Sequence, residues 1–465
     1  MKKSFLSMLT TIIMSITIHA QDISGSWNGV LEAGGVKMRI IFNITKTENG
    51  YKSTLDSPDQ GARGIPVQTT IFENPKIKIL IPAGGIEYLG ELKAENIIGT
   101  FKQGGKEFPL NLSKGTGEAP KRPQEPKKPY PYYSEDINFE NSKANITLAG
   151  TLTMPAKEGI FPAVILITGS GPQNRDEEVL GHKPFLVISD YLTRKGIAVL
   201  RFDDRGVGQS KGNFNSATSA DNASDVEAAI AYLKTRKEIN QIGLMGHSEG
   251  GMIAPMVAAN NKNVAFIVML AGTGIRGDKL LLMQQELIAK ANGVPQKDIE
   301  TTKRVNTKAF EIIVNAKNDE QLKTDLTNYL MKALAENPDV EKPKDMKDED
   351  LVAMQVKQTT TPWLKYFMRY DPAISLKQVK CPVLALNGEK DLQVPAQENL
   401  SAIEDILKQS GNKDVTIKKY AGLNHLFQET KTGNPSEYAT IEQTFSPMVM
   451  EEFTNWIKGK TSNKR

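Results

Sequence analysis

Cysteine is almost missing from this 465-residue chain, in which Cys381 stands alone. A single cysteine excludes an intrachain disulfide and a cysteine-rich metal site. Cys381 precedes the apolar run PVLAL, where we expect a buried, unreactive thiol. A strong net charge is also missing, since basic and acidic residues nearly balance and the formal net charge is +4. No basic run with interleaved aromatic residues occurs. These features argue against nucleic acid as a partner.

Motifs for phosphate-bearing cofactors are missing as well. The pattern G-x-x-x-x-G-K-[ST] does not occur. The glycine-containing segment DDRGVGQS (203–210) lacks the spacing G-x-G-x-x-G, and we interpret it as a rigid structural loop. We therefore expect no cofactor and no metal.

The first twenty residues differ in composition from the rest. Lys2 and Lys3 precede a mostly apolar stretch, Phe5–Ile18, and Ala20 supplies a small residue after it. This pattern predicts a secretory signal peptide over residues 1–20. The apolar stretch is shorter than the roughly 20 residues that a membrane span needs. We expect an exported protein, periplasmic or secreted, without stable membrane insertion.

Composition divides the remaining chain into three parts. Residues 21–114 contain short alternating segments such as VKMRIIFNI and KIKILI, punctuated by glycine, which predict a small β-sheet or barrel of seven or eight strands. Residues 115–133 are rich in proline and lysine and predict an extended linker. Residues 134–465 then alternate strand-like and helix-like segments.

The alternating part predicts an α/β fold with a doubly wound, mostly parallel sheet. Continuous apolar runs separated by helical patterns are typical of strands buried on both faces. Such runs occur at 163–168, 197–202, 242–246 and 264–272. A largely helical insertion at about 275–371 then interrupts the alternation, and we expect it to form a lid over the carboxyl ends of the strands.

The string GHSEG at 246–250 has the G-x-S-x-G form of a nucleophile elbow. It places Ser248 between Gly246 and His247 on one side and Glu249 and Gly250 on the other. A strand-like segment leads in and a helix-like segment of small residues leads out, which is the setting that the motif requires. Ser248 is therefore the candidate nucleophile.

A serine hydroxyl needs a base near neutral pH, and the chain offers four histidines. His19 lies in the predicted signal peptide, and His247 is adjacent to Ser248, where neighbouring side chains diverge. His182 precedes the nucleophile, against the chain order Ser, acid, His of such folds. His425, in GLNHLF after the last predicted strand, remains as the candidate base.

The acid that orients this base should follow the strand after the lid. The loop NGEKDLQVP offers Glu389 and Asp391, and Asp391 is preferred because it lies further into the loop. Glu389 stays open as the alternative, and Asp414 is a more distant third.

Two backbone N–H donors should stabilise the oxyanion of an acyl-transfer reaction. We expect one from Glu249 and the other from Ser170, or from Gly171, in the loop GSGPQNRDE. The Glu249 side chain could tune His425 or meet a substrate amine. It could equally be an acid favoured at a helix N-terminus.

The segments ITGSGPQNRDE, LRFDDRGVGQS, GHSEGG, LNGEKDLQVP and NHLF, in this order, resemble the α/β-hydrolase superfamily. They look most like exported bacterial hydrolases grouped with carboxylesterases and serine aminopeptidase-like proteins. The preceding β segment is similar to the accessory domain that often precedes such hydrolases. The resemblance implies a triad of Ser248, Asp391 and His425, but it does not imply a substrate.

The leading hypothesis is an exported serine esterase acting on a small-molecule ester or an acylated glycan. A peptidase acting at free N-termini would use the same triad and is the first alternative. A non-catalytic binding protein on the same fold is the alternative from another class, and the intact Ser, Asp and His argue against it. The sequence leaves the oligomeric state open.

Overall fold

The computed structural model describes residues 22–33, 36–60, 62–117, 121–337 and 346–462. The predicted signal peptide, residues 1–20, lies outside the described residues. The chain divides into two compact units. One takes in most of residues 22–117, and the other takes in residues 118–465 with the short segments 32–38 and 57–62. No helix in the described ranges has the length and apolar character needed to cross a membrane.

The first unit is an all-β structure, as predicted. Its described strands are β1 (Gly25–Ala33), β2 (Val36–Thr47), β3 (Gly50–Ser57), β4 (Ala62–Pro66), β5 (Thr69–Glu73), β6 (Lys76–Ile81), β7 (Ile86–Lys93), β8 (Asn96–Gln103), β9 (Lys106–Pro109) and β10 (Leu112–Lys114). They form one sheet in the order β4-β3-β2-β1-β10-β8-β7-β6-β5, and β9 pairs with β8. Alternate side chains such as Trp27, Phe42, Tyr88 and Phe101 are buried. The expected strand number was too low, because β9 and β10 have only four and three residues and show no alternation.

The proline-rich segment contains no helix or strand in its described residues 115–117 and 121–132, and its last residue, Tyr133, begins the next strand. It is nevertheless anchored within the second unit. The Arg122 guanidinium donates to the carbonyl oxygens of Leu180, Gly181, Ala439 and Ile441, at 2.9 to 3.2 Å. The predicted linker is therefore attached to the second unit in this part, because side chains between the prolines satisfy loop carbonyls.

The second unit is built on an eight-stranded sheet. Its strands are β11 (Tyr133–Asn141), β12 (Ile146–Met154), β13 (Phe161–Ile167), β14 (Ala198–Phe202), β15 (Ile239–His247), β16 (Val264–Leu270), β17 (Val383–Gly388) and β18 (Val415–Tyr420). Their order is β11-β12-β14-β13-β15-β16-β17-β18. The first two strands are antiparallel to their neighbours and β14 to β18 run parallel with β13. The predicted mostly parallel sheet is confirmed.

The described residues of the second unit contain eleven α-helices. They are α1 (Pro184–Arg194), α2 (Ser219–Leu233), α3 (Glu249–Ala258), α4 (Gly277–Ala291), α5 (Gln296–Asn315), α6 (Asp319–Glu336), α7 (Asp348–Thr359), α8 (Pro362–Arg369), α9 (Ala373–Leu376), α10 (Ala396–Gln409) and α11 (Pro447–Thr461). Helices α2, α3 and α10 pack on one face, and α1 and α11 pack on the other. The two layers bury most of the central strands β13 to β17, which explains their continuous apolar sequences.

Helices α4 to α8 form the predicted helical insertion between β16 and β17. Helices α5, α6 and α7 share an apolar core that includes Phe310, Ile313, Leu326 and Val352. A second cluster joins the insertion to the sheet unit, because Leu280 of α4 and Phe367 of α8 pack against Met252 and Val394. The insertion is thus an amphipathic helical layer with its own core.

Candidate active site

A sharp turn joins β15 to α3 and carries Ser248. Its backbone adopts φ 54° and ψ −116°, a conformation that residues with side chains rarely adopt. A Cβ atom on Gly246 would lie 1.9 Å from the carbonyl oxygen of Gly250. A Cβ atom on Gly250 would lie 2.1 Å from the carbonyl oxygen of Ile167. Both glycines of the motif are therefore required by backbone contacts, and the turn leaves Ser248 half-buried at the carboxyl edge of the sheet.

His425 and Asp391 meet at the same edge. The Nδ1 atom of His425 donates to Oδ2 of Asp391 at 2.8 Å, and both side chains are buried. The other carboxylate oxygen of Asp391 accepts the backbone N–H groups of Gln393 and Val394, at 2.8 Å each. Three donors thus hold a carboxylate that orients the imidazole, as a base of a hydrolytic triad requires.

The other candidates for base and acid lie elsewhere. Glu389 is exposed, and Asp414 forms an ion pair with Lys460 at 2.6 Å. His182 is fully buried, its Nε2 atom donates to the Tyr438 carbonyl oxygen at 2.8 Å, and burial lowers its pKa to about 4. These contacts give His182 a structural role.

Two backbone N–H groups beside Ser248 lack an internal acceptor. Neither the N–H of Ser170 nor that of Glu249 donates to another group within the described ranges. The loop that carries Ser170 comes close to Ser248, since a Cβ atom on Gly169 would lie 3.3 Å from the Cβ atom of Ser248. Gly171 follows at φ 100°, which a residue with a side chain could not adopt without strain. These groups have the character of an oxyanion hole.

The loop after β14 supports this arrangement. Asp204 accepts hydrogen bonds from the Thr168 hydroxyl at 2.7 Å and from the Gln173 backbone at 3.0 Å. Asp203 pairs with Arg175, whose guanidinium approaches it to 2.8 Å. The interpretation of residues 203–210 as a rigid structural loop agrees with these contacts, because its two acids hold the segment that carries Ser170.

The side chain of Glu249 does not face His425. Its carboxylate accepts the Ser219 hydroxyl at 2.6 Å, and both of its oxygens lie 2.9 Å from Nε1 of Trp363 in α8. The residue is 3% exposed, and burial raises the pKa of this carboxyl above its ordinary value. The lid therefore contacts the residue that follows Ser248 through a hydrogen bond from Trp363, a contact that sequence patterns did not indicate.

Glu177 is a second site residue that sequence reasoning missed. It belongs to the string GSGPQNRDE, and its carboxylate binds both the Gly169 N–H and the ring of His247. The available signal was an acid at the end of the loop expected to bind the oxyanion. His247, expected only as part of the elbow, is thus a partner of that loop.

The described residues contain no group of three or more His, Cys, Asp or Glu side chains placed to hold a metal ion. Cys381 is half-buried, and burial raises the pKa of its thiol to about 11. A thiol with such a pKa is poorly nucleophilic at neutral pH.

A protein-family profile described as "Serine aminopeptidase, S33" matches residues 185–431. Esterase EstD of Thermotoga maritima is 26% identical over 332 residues, covering 70% of this chain and 69% of that protein. An uncharacterised 31.7 kDa protein of Escherichia coli is 24% identical over 271 residues, covering 57% of this chain and 82% of that protein.

The solved structures that resemble this chain include one named as an esterase and one named Est1E. One is from Pyrococcus furiosus, with 15% identity, a TM-score of 0.42, and coverage of 71% of this chain and 91% of that chain. The other is Est1E of Butyrivibrio proteoclasticus with bound ferulic acid, at 18% identity and a TM-score of 0.41. It covers 70% of this chain and 100% of that chain.

Proposed function

The chain belongs to the serine aminopeptidase S33 family of hydrolases, an α/β-hydrolase family, and on that premise we propose that it is a serine esterase. Ser248 is the nucleophile, His425 the general base and Asp391 the acid that orients it. The observation that carries the proposal is the buried 2.8 Å hydrogen bond between His425 and Asp391, at the strand edge where the strained turn presents Ser248.

The reaction proceeds through an acyl-enzyme. The Oγ atom of Ser248 attacks the ester carbonyl carbon while its proton passes to Nε2 of His425. The N–H groups of Ser170 or Gly171 and of Glu249 stabilise the oxyanion. The C–O bond of the ester then breaks, and the proton on His425 goes to the departing alcohol. A water molecule, deprotonated by His425, attacks the acyl carbon, and the acid leaves as Ser248 regains its proton.

An ester is preferred over a peptide with a free N-terminus because of Glu249. A peptidase of that kind needs a carboxylate that accepts the substrate ammonium group. The Glu249 carboxylate is buried and already accepts hydrogen bonds from Ser219 and Trp363. EstD, which is named as an esterase, supports the same preference. The bound ferulic acid of Est1E is a ligand of that protein only.

The natural substrate is proposed to be a small-molecule ester or an acylated glycan outside the cytoplasm. The support for export is the basic and then apolar pattern of residues 1–20, typical of a secretory signal peptide. The expected catalytic machinery needs no cofactor, which suits a compartment without a nucleotide pool.

Matched ester and anilide substrates test the proposal. Purified protein is assayed on p-nitrophenyl esters of increasing chain length and on aminoacyl p-nitroanilides. Ser248→Ala is compared with Ser142→Ala, a change at an exposed turn residue. We expect ester turnover that Ser248→Ala abolishes and Ser142→Ala leaves unchanged. Faster anilide turnover would favour the peptidase, and no turnover of either class would favour a binding protein.

A further inference from the structure

His247 is buried against two acceptors. Its Nδ1 atom lies 3.0 Å from Oε1 of Glu177, and its Nε2 atom lies 2.9 Å from the carbonyl oxygen of His425. A carbonyl oxygen only accepts hydrogen bonds, so Nε2 must carry a hydrogen. A neutral imidazole has one N–H, so the state of Nδ1 depends on the carboxyl that faces it.

One oxygen of the Glu177 carboxylate faces two groups. The same oxygen that faces His247 also accepts the Gly169 N–H at 2.7 Å. A carboxylate oxygen accepts hydrogen bonds from two donors at once, so a hydrogen on Nδ1 of His247 fits this geometry. His247 therefore donates from both ring nitrogens, and the two side chains form a buried imidazolium–carboxylate pair.

The electrostatic surroundings agree with this protonation state. Burial alone would lower the pKa of His247, but the Glu177 carboxylate and the His425 carbonyl outweigh it, and the net effect raises this pKa. Asp391 raises it further from the loop after β17. The ring of His425, in the loop after β18, lies 4.8 Å away and is the other titratable group that faces His247.

The pair connects three separate segments of the site. Glu177 holds the oxyanion loop through Gly169, His247 belongs to the elbow beside Ser248, and its Nε2 atom holds the backbone of His425. Glu177 itself has φ 51°, which a long side chain adopts only where its surroundings enforce it. Unpaired buried charges are costly, so removing either partner would destabilise the contacts that the other partner makes.

We infer that Glu177 and His247 are positioning residues, whose ion pair aligns the oxyanion loop and the catalytic histidine with the nucleophile. This inference rests on the proposed esterase function. A reaction of this kind needs its groups held within about 0.5 Å of the productive geometry. Both side chains are buried, so their loss should lower kcat more than it changes KM.

The kinetic test compares Glu177→Gln with Glu178→Gln, a neutralisation at the next residue. Glutamine removes the negative charge, and a neutral His247 then has one N–H for two acceptors. We expect kcat on a p-nitrophenyl ester to fall about 10- to 100-fold in Glu177→Gln, the loss typical of one charge-assisted hydrogen bond. Glu178→Gln should match the wild type, and Glu177→Asp, which keeps the charge, should recover part of the loss.

The pH profile gives a readout that a purely structural role would not move. Because the folded-state pKa of His247 is raised, the ion pair persists at low pH and is lost as pH rises through that value. Wild-type kcat should therefore show a reversible alkaline decline that Glu177→Gln lacks. Equal profiles and equal kcat in Glu177→Gln and Glu178→Gln would overturn the inference.

A spectroscopic test follows the protonation of His247 in the wild-type protein directly. Protein labelled with ¹⁵N-histidine is titrated through the ordinary histidine pKa of about 6.5. The His247 signals, identified by their loss in His247→Gln, should keep two protonated nitrogens to a pH above that value. A ring that is already neutral below it would overturn the inference. Ester turnover that survives Ser248→Ala would instead refute the proposed function and leave the ion pair untouched.

Discussion

Replacing Asp391 with asparagine changes one atom of a buried carboxylate and keeps its shape. One carboxylate oxygen accepts the N–H groups of Gln393 and Val394, and the other accepts Nδ1–H of His425. The amide oxygen of asparagine would keep the two backbone donors. Its NH2 group would then face Nδ1 of His425, and two donors cannot share a hydrogen bond.

The imidazole would respond by moving its proton to Nε2. That nitrogen is the one that must accept the proton of Ser248, so the base is lost although the geometry is kept. In serine hydrolases the wrong histidine tautomer lowers kcat by about 10⁴-fold. We expect a loss of this order for Asp391→Asn, which corresponds to about 5.4 kcal/mol of transition-state stabilisation.

Steady-state hydrolysis of a p-nitrophenyl ester measures this loss. Glu389→Gln is the matched control, because Glu389 lies in the same loop but is exposed. The control should keep wild-type kcat, and both variants should keep a KM close to that of the wild type. An Asp391→Asn enzyme within about tenfold of the wild type, against the 10⁴-fold expected from the tautomer argument, would refute the reasoning. So would inactivity of Glu389→Gln.

Three further changes probe the surroundings of the site. Trp363→Phe removes the N–H that both oxygens of buried Glu249 accept. The change should lower the free energy of unfolding by about 1–3 kcal/mol and speed proteolysis of the lid helices. Unchanged proteolysis would contradict this lid contact. Burial lowers the pKa of His182 to about 4, so the free energy of unfolding should fall by about 3 kcal/mol between about pH 6.5 and 4. Urea unfolding should show that His182→Asn removes this slope. Gly246→Ala places a Cβ atom 1.9 Å from the Gly250 carbonyl oxygen and should lower the free energy of unfolding by at least about 1–3 kcal/mol. A wild-type melting temperature and wild-type activity would show that the turn tolerates a side chain at this position.

Local sequence patterns were sufficient for the fold of the second unit. Strands buried on both faces are continuously apolar, and their alternation with helical periods predicted the parallel sheet and the helical insertion. The candidate nucleophile also has a local signature, because the turn at Ser248 brings backbones so close that glycines are required two residues away on either side. His425 was identified as the candidate base by elimination among four histidines.

The choice of acid lay at the limit of what a sequence can decide. Glu389 and Asp391 are two residues apart and share the same chemistry. Burial separates them, because the Asp391 side chain is 0% exposed and contacts His425, whereas Glu389 lies in solvent. The preference for Asp391 agrees with this geometry, while its catalytic role stays a prediction.

The contacts around the site could not be predicted because their partners are far apart in the chain. Glu177 lies 70 residues from His247, and Glu249 lies 114 residues from Trp363. No periodic pattern links such pairs, and only the packed fold brings them together. The position of Arg122 among loop carbonyls was hidden for the same reason, since proline-rich composition predicts an extended segment but not what its side chains bind.

The acyl-enzyme is the most direct measure of the central claim that Ser248 is the nucleophile. The protein is quenched during turnover of a slowly hydrolysed ester, and the peptides are analysed by mass spectrometry. The account predicts an acyl adduct on Ser248, absent in Ser248→Ala and formed far more slowly in Asp391→Asn. An adduct on another residue, or full ester turnover without Ser248, would contradict it.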